Sequence, residues 1–304
     1  MAPLPTDLPP GLSARPLTMS DAAAVTAVIV AEELEDLGTA AIDEADIISF
    51  WERPSFDLAA STVGIFEGGL LVAYAELVDR VFGAAAVLPS HRCRGLGTAL
   101  AAWMRAGASE RGLGRIGTQV AQGSPGDRLL ASLGYAEGYT AWDLALPSRE
   151  ALAAVEPPPG YAIREARQPD EIEDSWNVIE DAFLEWSKRE RKLLVDWTAT
   201  TAGRADFAPW RLRVATDASG VVVAAVVIHV SGETALIDQL ATRRDQRGRG
   251  LGSALITDAV RTSAQHGATA WTISTDSRSG ARTLYEQVGM RVTSTWVNRV
   301  AALG

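Results

Sequence analysis

The chain repeats itself. Arg92-Cys93-Arg94-Gly95-Leu96-Gly97-Thr98-Ala99-Leu100 returns as Arg247-Gly248-Arg249-Gly250-Leu251-Gly252-Ser253-Ala254-Leu255, and the two copies fall in opposite halves of the 304 residues. Self-similarity at one fixed offset constrains architecture more than any single motif. At about 100–200 residues per domain, the length allows two domains, one per copy.

The flanks of the two copies match as well. Short apolar runs at 61–67, 70–78 and 80–88 precede the first copy, with a Gly68-Gly69 turn between the first two. Runs at 211–216, 221–230 and 233–242 precede the second, broken at 217–220 and at Ser231-Gly232. Val/Ala/Ile-rich runs separated by Gly turns read as antiparallel strands. Each copy then opens a helical pattern, followed by a strand (115–121 and 269–275), a short helix (127–133 and 280–288) and a closing strand (135–144 and 291–300). Amphipathic helices at 21–37 and 41–51 open the first half, and at 170–188 and 190–201 the second. The fold class is α+β: two tandem domains, each a mixed, mostly antiparallel sheet flanked by helices. The expected boundaries are a tail over 1–14, a first domain over 15–147, a Pro157-Pro158-Pro159 linker within 148–159, and a second domain over 160–304.

A strand that ends in Arg-x-x-Gly-x-Gly and runs straight into a helix is suited to an anion. The first amides of a helix lack intrahelical partners, and the helix dipole adds positive charge there. Glycine at Gly250 and Gly252 would let a diphosphate approach the backbone, and Arg247 and Arg249 add charge. The pattern is neither the dinucleotide fingerprint nor a Walker loop.

Composition narrows the partners. Lys and Arg number 28 against 38 Asp and Glu, a net charge of −10, which repels nucleic acid and anionic membrane and suits a cationic small molecule. Cys93 is the single cysteine, so there is no internal disulfide; it reads as a small filler within its loop. His91, His229 and His266 are scattered without metal-ligand spacing, so no metal is expected. No secretory signal is read at the start, and the longest apolar run, 221–230, is far short of the ~20 residues of a membrane helix. The expectation is a soluble cytoplasmic protein with no nucleic-acid or membrane partner, either a monomer or a homodimer.

In these residues the chain resembles the GNAT superfamily of acyl-CoA-dependent N-acetyltransferases, in tandem form, over nearly its whole length. Tandem mycothiol synthases are similar in layout. The family signature is Gln/Arg-x-x-Gly-x-Gly/Ala after the fourth strand, and its amides hold the coenzyme A pyrophosphate. The resemblance therefore implies contacts from Arg247, Gly248, Arg249, Gly250, Leu251, Gly252 and Ser253, and in the first half from Arg92, Arg94, Gly95, Gly97 and Thr98. The fourth strand of the family also pairs with the pantetheine arm, which points to Leu240, Ala241 and Thr242, and to Val87 and Leu88. A second landmark, Asn followed by Ala-x-x-Leu-Tyr-Glu-x-x-Gly-Phe, is matched by residues 277–290, with Ser277 in place of Asn and Met290 in place of Phe. Its tyrosine, Tyr285, is present, and in the family it protonates the departing thiolate, as a phenol of pKa ~10 can.

The halves differ at that position. Leu130 stands where the first half would carry the tyrosine, and Val81, Gly83, Ala85 and Val87 give its fourth strand no carboxylate. The first half is expected to do no chemistry and either to bind acetyl-CoA or to brace the second. In the second half, the usual place of the base, eleven residues before Arg247, holds Leu236. Asp238 lies on the same face by the two-residue period and is the candidate base or acceptor anchor, with Glu233 or water as alternatives. Glu180, Asp181, Phe183, Glu185, Trp186, Trp197, Phe207 and Trp210 fall where an acceptor would sit; they fit either a cationic amine or ordinary amphipathic helices. The resemblance implies acetyl transfer from acetyl-CoA to a small-molecule primary amine by direct attack, with the C-terminal half catalytic. Transfer of another acyl group, and a non-catalytic acyl-CoA-binding or interaction protein, stay open.

Overall fold

The computed structural model describes every residue except Met1, Ala2, Asp7, Ala41, Arg80, Val81, Gln168, Lys188 and Gly304. The helix expected at 41–51, the strand at 80–88, the helix at 170–188 and the bare-strand reading of Val81 fall at those positions outside the described residues. Contacts divide the chain into two units, residues 1–140 with 295–304, and residues 141–294.

The first unit runs β1 (Leu12–Arg15), α1 (Ala22–Leu37), α2 (Glu44–Trp51), α3 (Leu58–Ser61), β2 (Thr62–Glu67), β3 (Leu70–Leu77), β4 (Gly83–Val87), α4 (Leu96–Glu110), β5 (Arg115–Ala121) and α5 (Pro125–Ser132), then enters β6 (Ala136–Leu146). Strands β1 to β4 form an antiparallel meander. A single parallel bridge, Phe82 to Gly117, ties the start of β4 to β5. One face of this sheet is covered by α4, burying Val63, Ile65, Leu100 and Met104. The other is covered by α1 and α2, burying Val25, Val28, Trp51 and Tyr74. Helix ends follow their local chemistry. Gly38, left-handed at φ 78°, stops α1, and the Asp43 carboxylate accepts the Asp46 amide to start α2.

The second unit contains β7 (Ala162–Glu165), α6 (Asp170–Leu184), α7 (Leu194–Ala199), β8 (Leu212–Thr216), β9 (Val222–Ser231), β10 (Thr234–Thr242), α8 (Leu251–Gln265), β11 (Ala270–Asp276) and α9 (Arg282–Gln287), and enters β12 (Arg291–Ala302). Strands β7 to β10 are antiparallel, and β10 and β11 are parallel. Helices α8 and α9 bury Leu251, Leu255 and Tyr285 against Ile237 and Ile273. On the opposite face α6 and α7 bury Ile179 and Trp197 against Val214 and Val227.

The units differ from the boundaries drawn from the repeat. The second unit takes Ala141–Leu146 of β6, which pair with β11. The first takes Trp296–Ala302 of β12, which pair with β5. Local pattern encodes that a closing strand exists; which β5-like edge it joins is a long-range choice that pattern does not carry. The segment over 148–159 is also no free spacer. Ala153 N–H donates to Val288 O at 3.1 Å, Val155 N–H to Thr257 Oγ1 at 3.0 Å, and Arg261 pairs with Glu156 at 2.7 Å. Of the span read as a tail, Leu12 begins β1, and Leu4 and Leu8 pack on the core.

Candidate active site

In the second unit, β10 and β11 pair from Thr234 with Ala270 to Ile237 with Ile273, and then part. Past that point, among the described residues, β10 pairs with β9 alone, which leaves the backbone edge of Leu240, Ala241 and Thr242 without a strand partner on the β11 side. A bulge marks the parting: Ile237 sits opposite Ile228 and Gln239 opposite Val227, so Asp238 is the extra residue.

The repeated motif lies just beyond. Gly250 caps α8 at φ 86°, and Gly248 sits at φ 74°, both in the left-handed region. A Cβ at either would meet nothing within 4 Å, so both look onto open space at the helix start. Gly252 plays a different part from the one expected: a Cβ there would lie 3.1 Å from Leu284 Cδ2, so its missing side chain admits α9. The Arg247 guanidinium is bound to Glu185 at 2.9 and 2.7 Å and to Thr242 O at 3.0 Å. Arg249 is exposed and makes no ion pair among the described residues.

Tyr285 lies on α9, only 6% exposed, within the α8 face of the core. Its hydroxyl makes no hydrogen bond among the described residues, and burial pushes the phenol up, so it stays protonated. Ser277 is exposed in the turn after β11.

Asp238 is held from two sides. Gln239 Nε2 donates to its Oδ2 at 2.8 Å, and His229 Nε2 lies 3.4 Å from the same oxygen. Gln239 Oε1 in turn accepts the Trp197 indole N–H at 2.8 Å. Partial burial would raise the Asp238 carboxyl; His229 and Gln239 outweigh it and hold it near a pKa of about 2.

The first unit repeats the parting with different chemistry. Beyond the Phe82–Gly117 bridge, β4 and β5 enclose a cavity of about 300 Å3. Val87, Arg92, Gly95, Gly97 and Thr98 line it, over an apolar floor that includes Leu130. Leu130 is buried on α5. Gly95 caps α4 at φ 81°, and Cys93, at φ 62°, is the non-glycine residue found in the left-handed region. A Cβ at Gly97 would lie 2.6 Å from Leu129 Cδ2, again a packing requirement. Both arginines are occupied: Arg92 by Asp36 at 2.8 and 2.9 Å, and Arg94 by Glu67 at 2.7 Å. No carboxylate comes from the described part of β4, yet Glu32 of α1 reaches the cavity, 3.5 Å from Arg92 and 3.4 Å from the Val87 amide. Burial raises Glu32 to a pKa of about 7.

Residues 170–290 match the acetyltransferase (GNAT) family, and residues 62–142 match the FR47-like family, so each repeat has its own match. The second repeat thus carries the GNAT match and the first the FR47-like match. No curated protein sequence matches it. Among solved structures it is similar to a GCN5-related N-acetyltransferase from Sphaerobacter thermophilus, at 24% identity and TM-score 0.72 over 97% of each chain. It is also similar to a tandem GNAT protein from the clavulanic acid biosynthesis pathway, at 18% identity and TM-score 0.70, over 96% of this chain and 99% of that one. Saccharomyces cerevisiae N-myristoyltransferase with bound myristoyl-CoA shares the fold at 10% identity and TM-score 0.72, over 98% of this chain and 81% of that one. Over nearly its whole length the chain thus has the fold of these acyltransferase structures, with the GNAT family match in its second repeat.

The acidic residues expected near an acceptor are already engaged. Glu180 is 1% exposed and held by Arg189 at 2.6 and 2.8 Å. Arg191 holds Asp181, and Arg247 holds Glu185. Trp197 is core, Trp210 stacks on His266 at 4.3 Å, and Phe183 packs on Trp186 at 5.5 Å. Glu233 accepts from Thr269 just before β10, ahead of all four β10–β11 pairs. Sequence reasoning missed His229 and Gln239. The signal for His229 was present, a polar residue in an otherwise apolar run, two strand positions from Val227.

Proposed function

We propose that the protein transfers an acetyl group from acetyl-CoA to the primary amine of a small molecule, by direct attack, and that the second unit is catalytic. The observation that carries this is Tyr285: an unbonded phenol against the parted strands in one repeat, with Leu130 in its place in the other. The Gly250 helix start, with Gly248, Arg249, Leu251 and Ser253, would receive the diphosphate, with Arg247 beside it. The open edge of Leu240, Ala241 and Thr242 would pair with pantetheine, and Ser277 would border that arm. Asp238, a carboxylate at neutral pH on the side of α7, would hold the acceptor's ammonium. Attack forms the C–N bond and drives the carbonyl electrons onto oxygen, where backbone donors at the bulge would stabilise the charge. Collapse breaks the C–S bond, and Tyr285 gives its proton to sulfur. We place this reaction in the cytoplasm, on a monomer or homodimer, without nucleic-acid or membrane partners; no helix among the described residues is long and apolar enough to cross a membrane.

The test is thiol release from acetyl-CoA against a panel of amines. Tyr285→Phe should lower kcat by about 10²–10⁴ and leave acetyl-CoA affinity unchanged; an equal loss of binding would remove the acid role. A Gly95→Ala variant should keep wild-type turnover, and losing it would move the chemistry to the first unit. A second reading, transfer of a longer acyl group, draws on the apolar cavity around Val87 and Leu130. It would show as a rising kcat/KM along a series of acyl-CoA chain lengths. There Val87, Arg92, Gly95, Gly97 and Thr98 of the cavity, with Leu88 and Arg94 of the same strand and loop, would hold a donor only after Arg92 or Arg94 exchanged its carboxylate for phosphate.

A further inference from the structure

We propose that His229 accepts the proton of the acceptor amine, with Asp238 and Gln239 as the residues that position it; this rests on the acyltransferase reading of the second unit.

His229 lies opposite Leu236 across β9 and β10, one pair from where β10 and β11 part. The two-residue period puts it on the face of Val227, which packs with Trp197 under α6 and α7. Tyr285 belongs to the cluster on the other face, with Ile237, Leu251 and Leu255. Acid and proton acceptor therefore flank the parted strands from opposite sides. An amine entering from the α7 side would meet His229, and the thiol would leave toward Tyr285.

The imidazole is built in. Its side chain is 14% exposed, and the chain of contacts from it runs through Asp238 and Gln239 to the indole of Trp197, which is fully buried. With Nε2–H turned to the Asp238 carboxylate, Nδ1 carries the lone pair. Asp238, 35% exposed, keeps its second oxygen for the ammonium. A carboxylate held as low as Asp238 is a poor proton acceptor at neutral pH, and imidazole is the side chain best matched to that task. Other charges on this face are Lys192, which acts on Asp238, buried Asp196 on α7, and Glu180 on α6, neutralised by Arg189. On β8, Arg213 is paired with Asp258 of α8.

The protons balance. The ammonium loses its first proton to Nδ1, which passes it to water, and the neutral nitrogen attacks the thioester carbon. As the C–S bond breaks, the nitrogen's second proton passes to the freed Nδ1 and on to water, while Tyr285 protonates sulfur and is then reprotonated from solvent.

The experiment compares wild type, His229→Gln and Asp238→Asn with an alkylamine acceptor and with hydroxylamine, which is already largely neutral at pH 7. His229→Gln should lower kcat for the alkylamine by about 10²-fold, keep the KM for acetyl-CoA, and lose the ascending limb of the kcat/KM profile. Hydroxylamine should still be acylated at close to the wild-type rate. Asp238→Asn should raise the alkylamine's KM and move the limb. An unchanged limb and rate in His229→Gln overturn the proposal alone, as does an equal loss with both acceptors, which marks a structural role. A wild type that binds acetyl-CoA and acylates neither acceptor nor any amine of the panel overturns the acyltransferase reading and this proposal with it.

Discussion

The two glycines of the second motif should fail for different reasons, and the difference can be measured. Gly250→Ala places a Cβ at φ 86°, which costs about 1–2 kcal/mol for an L-residue. That Cβ meets nothing within 4 Å, so the cost is not a clash, and the new methyl would take up open space at the start of α8 where a diphosphate would have to approach. A charged acceptor pushed off one of the first amides of α8 gives up about 1.5–3 kcal/mol, about 10–150-fold in Kd. Gly252→Ala is different. Alanine gains about 1 kcal/mol of helix propensity there, against a 3.1 Å contact with Leu284 Cδ2, the flexible end of a half-buried side chain. Its net effect should stay within about 1 kcal/mol, and pairing it with Leu284→Ala should remove the contact. Thermal unfolding and coenzyme A titration read both quantities, at about 2–4 °C of Tm per kcal/mol for a chain of this size. Gly250→Ala with wild-type Tm and Kd would refute the reasoning, as would Gly252→Ala proving the more damaging. Cys93, already left-handed at φ 62° where the second repeat has Gly248, shows that the loop can carry such a cost.

Arg189→Ala should destabilise the second unit by about 3–5 kcal/mol, because it strands the buried Glu180 carboxylate; Arg189→Ala with Glu180→Gln should recover much of that in urea denaturation. Glu76, buried and accepting the Trp51 indole N–H at 3.0 Å, has its pKa raised by burial to about 6. Its folded value exceeds its unfolded one, so its contribution is full below about pH 4.5 and is lost as pH rises through about 6. Glu76→Gln should flatten the fall in stability over that window, and an unchanged slope would show that Glu76 is not its source.

Much of this was legible in the residues. The Gly turns at Gly68-Gly69 and Ser231-Gly232 separate strands that formed where the pattern placed them. The repeated motif sits at a strand-to-helix junction in both units. What escaped was long-range. Exchange of the closing strands depends on which edge Ala141–Leu146 and Trp296–Ala302 reach, and the composition of either strand does not record it. The bulge at Asp238 is likewise invisible as a pattern. A strict two-residue alternation would send Asp238 and Gln239 to opposite faces, whereas the bulge turns both toward the side where His229 and Trp197 stand.

The same logic explains why a strand-by-strand search found no carboxylate in the first repeat. The search assumed that β4 must supply it, but position in the fold, not position in the motif, brings a group to the cavity. Glu32 comes from α1, while the motif loop's cations are spent on Asp36 and Glu67. Duplication therefore kept the backbone geometry at Gly95 and Gly250 and let the side chains diverge. A repeat that keeps its helix start, replaces the tyrosine by Leu130 and neutralises its arginines retains a shaped cavity without the proton donor. On the proposed reading, Leu130→Tyr alone should therefore give the first unit no acyl transfer, measured as thiol release, since Arg94, unlike Arg249, would remain tied to its carboxylate.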